Sequence, residues 1–104
     1  MAKYNDLPDF DTDGFLRETD AWNEDLARRI AVSDGLGELE EPQLCVLRQL
    51  RESYQRHGTP PALAHVCHMS GFSQDCMYEL FPSAREAWRI AGLPHPGEEA
   101  KVYL

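Results

Sequence analysis

Apolar residues recur every three or four positions along most of the chain, a spacing typical of amphipathic helices. Glycine and proline residues divide the pattern into five segments, which begin near Asn23, Glu40, Thr59, Ser73 and Ser83. Each start offers a polar cap or a proline, the residue types that favour a helix N-terminus. The sequence therefore predicts a mainly α fold, a small bundle of about five helices with a helix-turn-helix-like core.

Several boundaries carry specific signals. Thr59 is expected to cap the third helix, with Pro60 and Pro61 in its first turn. Ser83 and Glu86 have the spacing of a capping box, in which the serine and glutamate side chains each accept a backbone amide. Gly92 follows the last apolar position, where a left-handed residue commonly ends a helix.

The two ends of the chain read differently from the helical middle. Asp13-Gly14 between aromatic residues predicts a short N-terminal β-hairpin. After Gly92, closely spaced prolines favour an extended C-terminal arm over a helix. We therefore divide the chain into a tail (1–9), a domain (10–92) and an arm (93–104).

Composition narrows the class of protein. The chain has 104 residues, with 18 acidic against 10 basic side chains and a formal net charge of −8. This balance argues against direct binding to nucleic acid, which requires a basic surface. The sequence shows no apolar run long enough for a membrane span and no apolar signal segment. We expect a cytoplasmic protein whose three cysteines are reduced.

Potential metal ligands are concentrated in a short stretch that contains His65, Cys67, His68 and Cys76. A structural zinc site needs four donors that converge. On a helix the two histidines share a face, whereas Cys67 points towards the presumed core. The pattern predicts neither a metal nor a cofactor.

Two cysteines are weak candidates for thiol chemistry. Cys76 lies at the predicted start of the fourth helix, where a thiolate is favoured, but Asp75 and Glu79 oppose its charge. Cys45 lies away from the apolar stripe of its helix. A helix-turn-helix reading of residues 59–81 lacks any lysine or arginine to contact DNA.

Several strings resemble the DsrC/TusE family of small sulfur-relay proteins. The similarity runs from about Asp11 to Pro96. The matching strings are Thr12–Leu16, Trp22–Ala27, Val46–Tyr54, Thr59–Ala62, Leu80–Pro82 and Ala87–Pro96. The resemblance implies a mostly helical domain with a small hairpin and a mobile arm, acting with protein partners of sulfur-relay or sulfite-reductase type.

In the family, the transferred sulfur is carried by an arm cysteine, and DsrC proper adds a second cysteine in the last helix. Here Glu99 stands near the arm position and Trp88 at the helix position. The stretch 67–77 is also shorter than in the family and lacks a basic run. By resemblance, the partner-binding arm comprises Trp88, Arg89, Leu93, Pro94, His95, Pro96, Gly97 and Glu99, although Trp88 can equally be a core aromatic.

These observations favour a DsrC/TusE-like protein without the carrier cysteines, a non-catalytic binding or regulatory protein of sulfur metabolism. One alternative is a sulfur carrier that uses Cys76 or Cys45 on the body of the domain. Another is a transcriptional regulator of helix-turn-helix type, which would need a basic surface from dimerisation or a partner. Oligomeric state is left open.

Overall fold

The computed structural model of the chain describes residues 9–98, which form five α-helices and a short 3-10 helix at Thr19–Ala21. The mainly helical fold is confirmed. The helices are α1 (Glu24–Ser33), α2 (Glu41–His57), α3 (Leu63–Met69), α4 (Cys76–Leu80) and α5 (Ala84–Ile90).

Local signals set the ends of the two longest helices. The side chain of Asn23 accepts the Leu26 amide at the start of α1, as predicted. Glu40 and Gln43 form a reciprocal capping box at the start of α2. Gly58 ends α2 in the left-handed conformation, with φ of 73°.

The predicted starts of the third and fourth helices are wrong by a few residues. α3 follows Ala62 rather than Thr59, because a residue that precedes proline is held in extended conformation. α4 begins at Cys76, whose amide donates to the backbone carbonyl of Ser73, so Ser73 does not cap it through its side chain.

The predicted N-terminal hairpin is reduced to a single antiparallel bridge between Phe10 and Leu16, with no strand in the described residues. The carboxylate of Asp11 accepts the amides of Asp13 and Phe15, each at 2.9 Å. These bonds close a compact turn in place of a longer ladder. Residues 1–8 of the predicted tail and residues 99–104 of the predicted extended arm lie outside the described part of the chain.

α2 lies at the centre of the bundle and packs against α3 and α5. α1 covers α5 on one side, and α4 lies between α3 and α5. No helix within residues 9–98 is long and apolar enough to cross a membrane. The largest buried side chains are Trp88, Phe15, Leu16, Ile30, Leu47, Leu50, Met77, Ile90 and Leu93.

Cys67 and Cys76 form a disulfide, which corrects the expectation that all three cysteines are reduced. Their Cα atoms lie 5.7 Å apart. Gly71, with φ of 86°, reverses the chain after α3, and the Phe72 amide donates to the Cys67 carbonyl. This reversal brings α4 back alongside α3, a long-range consequence that periodicity does not show. Cys76 therefore has no free thiol in this structure.

Candidate functional site

The candidate site is the arm root, by which we mean residues 93–98, together with the side chains that hold it. Gly92 turns the chain out of α5 with φ of 69°, confirming its predicted place. Leu93 is fully buried, whereas exposure rises towards Gly97. Trp22 packs directly on Gly92, and a Cβ atom at this position would overlap the indole ring. The chain can therefore leave α5 along this path only with glycine at position 92.

Arg51 is a buried cation that holds the end of α5 in place. Its Nη1 donates to the carbonyl oxygens of Ala91 at 2.9 Å and Gly92 at 3.3 Å. The same guanidinium donates to the hydroxyl and carbonyl of Thr19 and lies 4.4 Å from the ring centre of Trp22. Burial lowers the pKa of Arg51, and the charge of Asp20 opposes this effect.

Trp88 on α5 is buried in the core and positions the arm root from the core side. Its indole Nε1 donates to the carbonyl of Pro94 at 2.8 Å, and its ring meets Tyr54 edge-on at 5.7 Å. Of the two readings left open by the sequence, the structure supports the core aromatic. Trp88 is 1% exposed and fixes where the arm begins, so it offers no surface to a partner.

His95 connects the arm root to the N-terminal turn. Its Nε2 lies 3.1 Å from Asp13 Oδ2, and its ring meets Phe15 edge-on at 5.5 Å. The amide of Gly97 donates to His95 Nδ1 at 3.0 Å. Because that nitrogen accepts a hydrogen bond, Nε2 carries the proton and donates to Asp13. The arm root is thus latched to a turn about 80 residues earlier.

Asp13, His95 and Glu98 place one potential metal ligand each within 4.8 Å of one another. Binding through His95 Nε2 would require a lone pair there and a proton on Nδ1, which would face the Gly97 amide. Arg85 also approaches Asp13 to 3.7 Å, adding positive charge beside the cluster. The donor geometry therefore favours a hydrogen-bonded latch over a cation site.

Arg89 is occupied by contacts within the domain. It pairs with Asp34 at 2.8 Å, donates to the Gly14 carbonyl at 2.6 Å and lies over the Phe10 ring at 4.4 Å. It therefore joins α5 to the end of α1 and to the N-terminal turn. These contacts hold the Arg89 side chain against the body of the domain, next to the arm root.

Glu86 and Asp34 form a carboxyl pair next to Arg89. Burial and the hydrogen bond to Asp34 raise the pKa of Glu86 to about 7. The pKa of Asp34 is lowered: its hydrogen bonds to Glu86 and Arg89 outweigh the opposing effect of burial. The glutamate of the predicted capping box thus faces α1, while Ser83 alone caps α5 by accepting the Glu86 amide.

The structure brings most of the predicted arm residues into one place. Pro94, His95 and Pro96 are half-buried, Gly97 is exposed, and Glu99 lies outside the described residues. Cys45 is half-buried on α2, and the two other cysteines are bonded to each other, so the ligand set considered from the sequence does not form.

Sequence reasoning missed three residues that hold the arm root, namely Trp22, Arg51 and Asp13. Each contacts residues 40 or more positions away, for example Trp22 Nε1 to the Ile90 carbonyl at 2.8 Å. Contacts between residues so far apart in the chain produce no periodic pattern in the sequence. An arginine at an inward helical position was the one local signal that could have pointed to Arg51.

A model of the family described as DsrC-like protein matches residues 4–98. The chain belongs to the DsrC-like family. It is 37% identical over 95 residues to the "Sulfurtransferase TusE" of Salmonella typhimurium, with 83% of this chain and 86% of that relative covered. It is 31% identical over 88 residues to the "Sulfite reductase, dissimilatory-type subunit gamma" of Nitratidesulfovibrio vulgaris, with 83% and 84% covered.

Solved structures agree with this DsrC-like assignment. The chain superposes on a crystal structure of dissimilatory sulfite reductase I with a TM-score of 0.74, 30% identity and 86% of this chain and 88% of that chain covered. For the oxidized gamma-subunit of the dissimilatory sulfite reductase (DsrC) from Archaeoglobus fulgidus, the TM-score is 0.72 at 27% identity, with 86% and 90% covered. Relatives of this chain are thus sulfur-relay and sulfite-reductase proteins.

Proposed function

We propose that this DsrC-like protein binds protein partners of sulfur relay or sulfite-reductase type without carrying sulfur itself. The observation that supports the proposal most strongly is the position of the cysteines. Residues 77–104 contain no cysteine, so neither α5 nor residues 93–104 of the arm supply a thiol. A carboxylate such as Glu99 cannot accept a sulfane sulfur, so an arm of this composition binds but does not transfer sulfur.

The arm root is built as a fixed exit for a partner-binding segment. Arg51 and Trp88 hold its first residues, and His95 latches it to the N-terminal turn. Two prolines stiffen the same stretch, which reduces the conformational entropy lost when an arm docks. We therefore assign partner contact to the half-exposed positions from Pro94 onward, with Trp88, Arg89 and Leu93 as their support.

The proposal also covers nucleic acid, cellular location and membranes. A net charge of −8 disfavours nucleic acid as a direct partner. We propose a cytoplasmic location, where the sulfur-relay partners of a DsrC-like protein would be found. Membrane association is not part of the proposed role.

A binding assay tests the proposal. The purified chain would be titrated against a dissimilatory sulfite reductase without its gamma subunit, and against sulfur-relay proteins that bind a TusE-type relative. We expect saturable binding that competes with the relative and is lost when residues 98–104 are deleted. Val32→Ser, an exposed position on α1, is the control that should bind normally. Failure to bind either class of partner would contradict the proposal.

Cys45 supports one second candidate, a sulfur carrier that uses the body of the domain. It is the only one of the three cysteines outside the disulfide, and it is half-buried on α2. Cys76 no longer supports this alternative in the disulfide form. Incubation of the protein with a persulfide, followed by mass spectrometry, would show a retained sulfur lost in Cys45→Ser if this candidate were correct.

A further inference from the structure

The disulfide joins two short helices, α3 and α4. α3 has seven residues and α4 has five, both below the length at which an isolated helix is stable in water. Packing of Val66 and Met77 supplies part of their stability. Cys67 lies in the last turn of α3, two residues before its end at Met69, and Cys76 is the first residue of α4, so the bond closes the connection between the two helices.

Few long-range polar contacts anchor this α3–α4 segment, by which we mean residues 63–80. The Gln43 side chain donates to the Leu80 carbonyl at 2.8 Å, from α2 to the end of α4. The side-chain bonds of Ser70 and Ser73 are local, to the Val66 carbonyl and to Glu79. The order of the segment therefore depends more on its covalent link than the order of the arm root does.

A disulfide in a cytoplasmic protein is more often a redox-active bond than a structural one. Both cysteine residues are buried here, at 0% and 1% exposure, so a reagent reaches them only when the segment opens. Without the bond the loop between the helices is freer, which makes opening easier. The reduced form is thus the reactive form, and the structure shows the closed form.

We propose that Cys67 and Cys76 form a reversible dithiol–disulfide switch that a low-molecular-weight persulfide closes. The inference rests on the proposed function, because it makes a binding protein responsive to the sulfur compounds of its pathway. The closed form orders the α3–α4 segment and the exposed side chains on it, Met69 and Tyr78. The arm root contains neither cysteine and keeps its hydrogen bonds in both forms.

The reaction balances as two thiol–disulfide exchange steps. A thiolate of the reduced pair attacks the outer sulfur of a persulfide R–S–SH, which forms a protein persulfide and releases the thiol R–SH. The second cysteine then attacks the sulfur of the first, forms the Cys67–Cys76 bond and expels hydrosulfide. The protein loses two hydrogens and the outer sulfur leaves as sulfide. A dithiol reductant reopens the pair.

The chemical test starts from reduced protein freed of reductant under anaerobic conditions and treated with glutathione persulfide. We expect about one sulfide released per chain and an intact mass lowered by two hydrogens, with no sulfur retained. Cys67→Ser should keep the added sulfur on the protein and release no sulfide. Cys45→Ser is the matched control and should behave as the native chain.

Three outcomes would overturn the inference. The first is a reduced pair that ignores glutathione persulfide while glutathione disulfide closes it. The second is sulfide release that persists in Cys67→Ser. The third is a native chain that stores the sulfur without forming the bond.

Amide hydrogen exchange tests whether the disulfide orders α3 and α4. Reduction should make amides of α3 and α4 exchange at least about tenfold faster, while those of α1 and α5 stay unchanged. The double variant Cys67→Ser, Cys76→Ser should show the reduced pattern under all conditions. Equal exchange in the oxidised and reduced forms, or acceleration spread evenly over the domain, would overturn the proposed local ordering.

The switch and the proposed function fail separately. Loss of partner binding in the arm deletion assay concerns residues 98–104, whereas sulfide release and local exchange concern only the cysteine pair. A chain that binds its partners but shows no persulfide-dependent closure retains the proposed function and loses the switch. A chain that closes but binds neither class of partner retains the switch chemistry and loses the proposed function.

Discussion

The arm root and the α3–α4 segment are held to the same bundle by different means. At the arm root, side chains from the N-terminal turn, α2 and α5 converge on carbonyls and a histidine through hydrogen bonds. The α3–α4 segment relies on apolar packing and one disulfide. The arm root contains no cysteine, whereas the α3–α4 segment contains a bond that reduction would break. A DsrC-like protein can thus keep a constant arm exit while another face responds to its surroundings.

The largest expected loss of stability comes from a substitution at Gly92, where the chain enters the arm root. Gly92→Ala places a Cβ atom against the Trp22 ring in a left-handed backbone, and we expect a loss of about 3–4 kcal/mol in unfolding free energy. Gly58→Ala has a similar φ, 73° against 69°, with open space around the added atom. That control should cost only about 1 kcal/mol. Urea denaturation measures both, and equal losses would show that contact with Trp22 is unimportant.

Removal of the buried cation should come next. Arg51→Met keeps the aliphatic stem but leaves the Ala91 carbonyl without its donor, while the Thr19 hydroxyl still donates to the Gly92 carbonyl; we expect a cost of about 2–3 kcal/mol. Arg56→Met, one turn and a half along α2, removes only an exposed pair with Glu52. Thermal unfolding should show a change of at most about 0.5 kcal/mol in this control. A small effect for both would mean that Arg51 does not hold the end of α5.

The third prediction concerns the carboxyl pair Glu86 and Asp34 beside Arg89, which should make the stability of the domain depend on pH. The pKa of Glu86 rises from 4.5 to about 7 in the fold, so its contribution to stability is complete below pH 4.5 and is lost as pH rises through 7. Partial exposure and screening reduce this contribution to about 1 kcal/mol. The lowered pKa of Asp34 acts oppositely, since its contribution is lost only in acid, below about its ordinary value of 3.8.

Urea unfolding at pH 5 and pH 8 measures the effect of Glu86. The native chain should lose about 1 kcal/mol more than Glu86→Gln over this interval, because glutamine keeps a hydrogen bond to Asp34 and cannot ionise. The histidines are present in both proteins, so their titration cancels in the difference. Identical pH profiles would show that Glu86 ionises in the folded protein as it does in the unfolded chain.

The smallest effect concerns the latch itself. His95→Ala removes the bond to Asp13 and the contact with Phe15, at a half-exposed site, and should cost about 0.5–1 kcal/mol. Its clearer signature is faster amide exchange at the arm root, with α3 and α4 unchanged. His68→Ala, an exposed position on α3, is the control. Unchanged exchange at residues 95–98 in His95→Ala would contradict the latch.

Local chemistry predicted much of the fold and little of what supports the site. Asn23, Ser83 and Gly92 act on backbone groups within a few residues, so their patterns predicted helix ends correctly. Thr59 and Ser73 carry the same kind of signal, but neither caps its helix. The proline pair after Thr59 delays the start of α3, and α4 begins three residues after Ser73, beyond the chain reversal. The predicted arm residues do gather at one place in the described part of the chain. The Cys67–Cys76 bond and the Arg51 contacts depend on tertiary packing, which periodicity does not encode.

The central claim is that this DsrC-like chain binds without retaining sulfur, and intact-mass spectrometry tests it directly. The native protein, oxidised or reduced, would be exposed to glutathione persulfide and its mass compared with that of Cys45→Ser. We predict no retained sulfur on the native chain in either form. A stable gain of one sulfur atom that disappears in Cys45→Ser would contradict the claim and identify a carrier on the body of the domain.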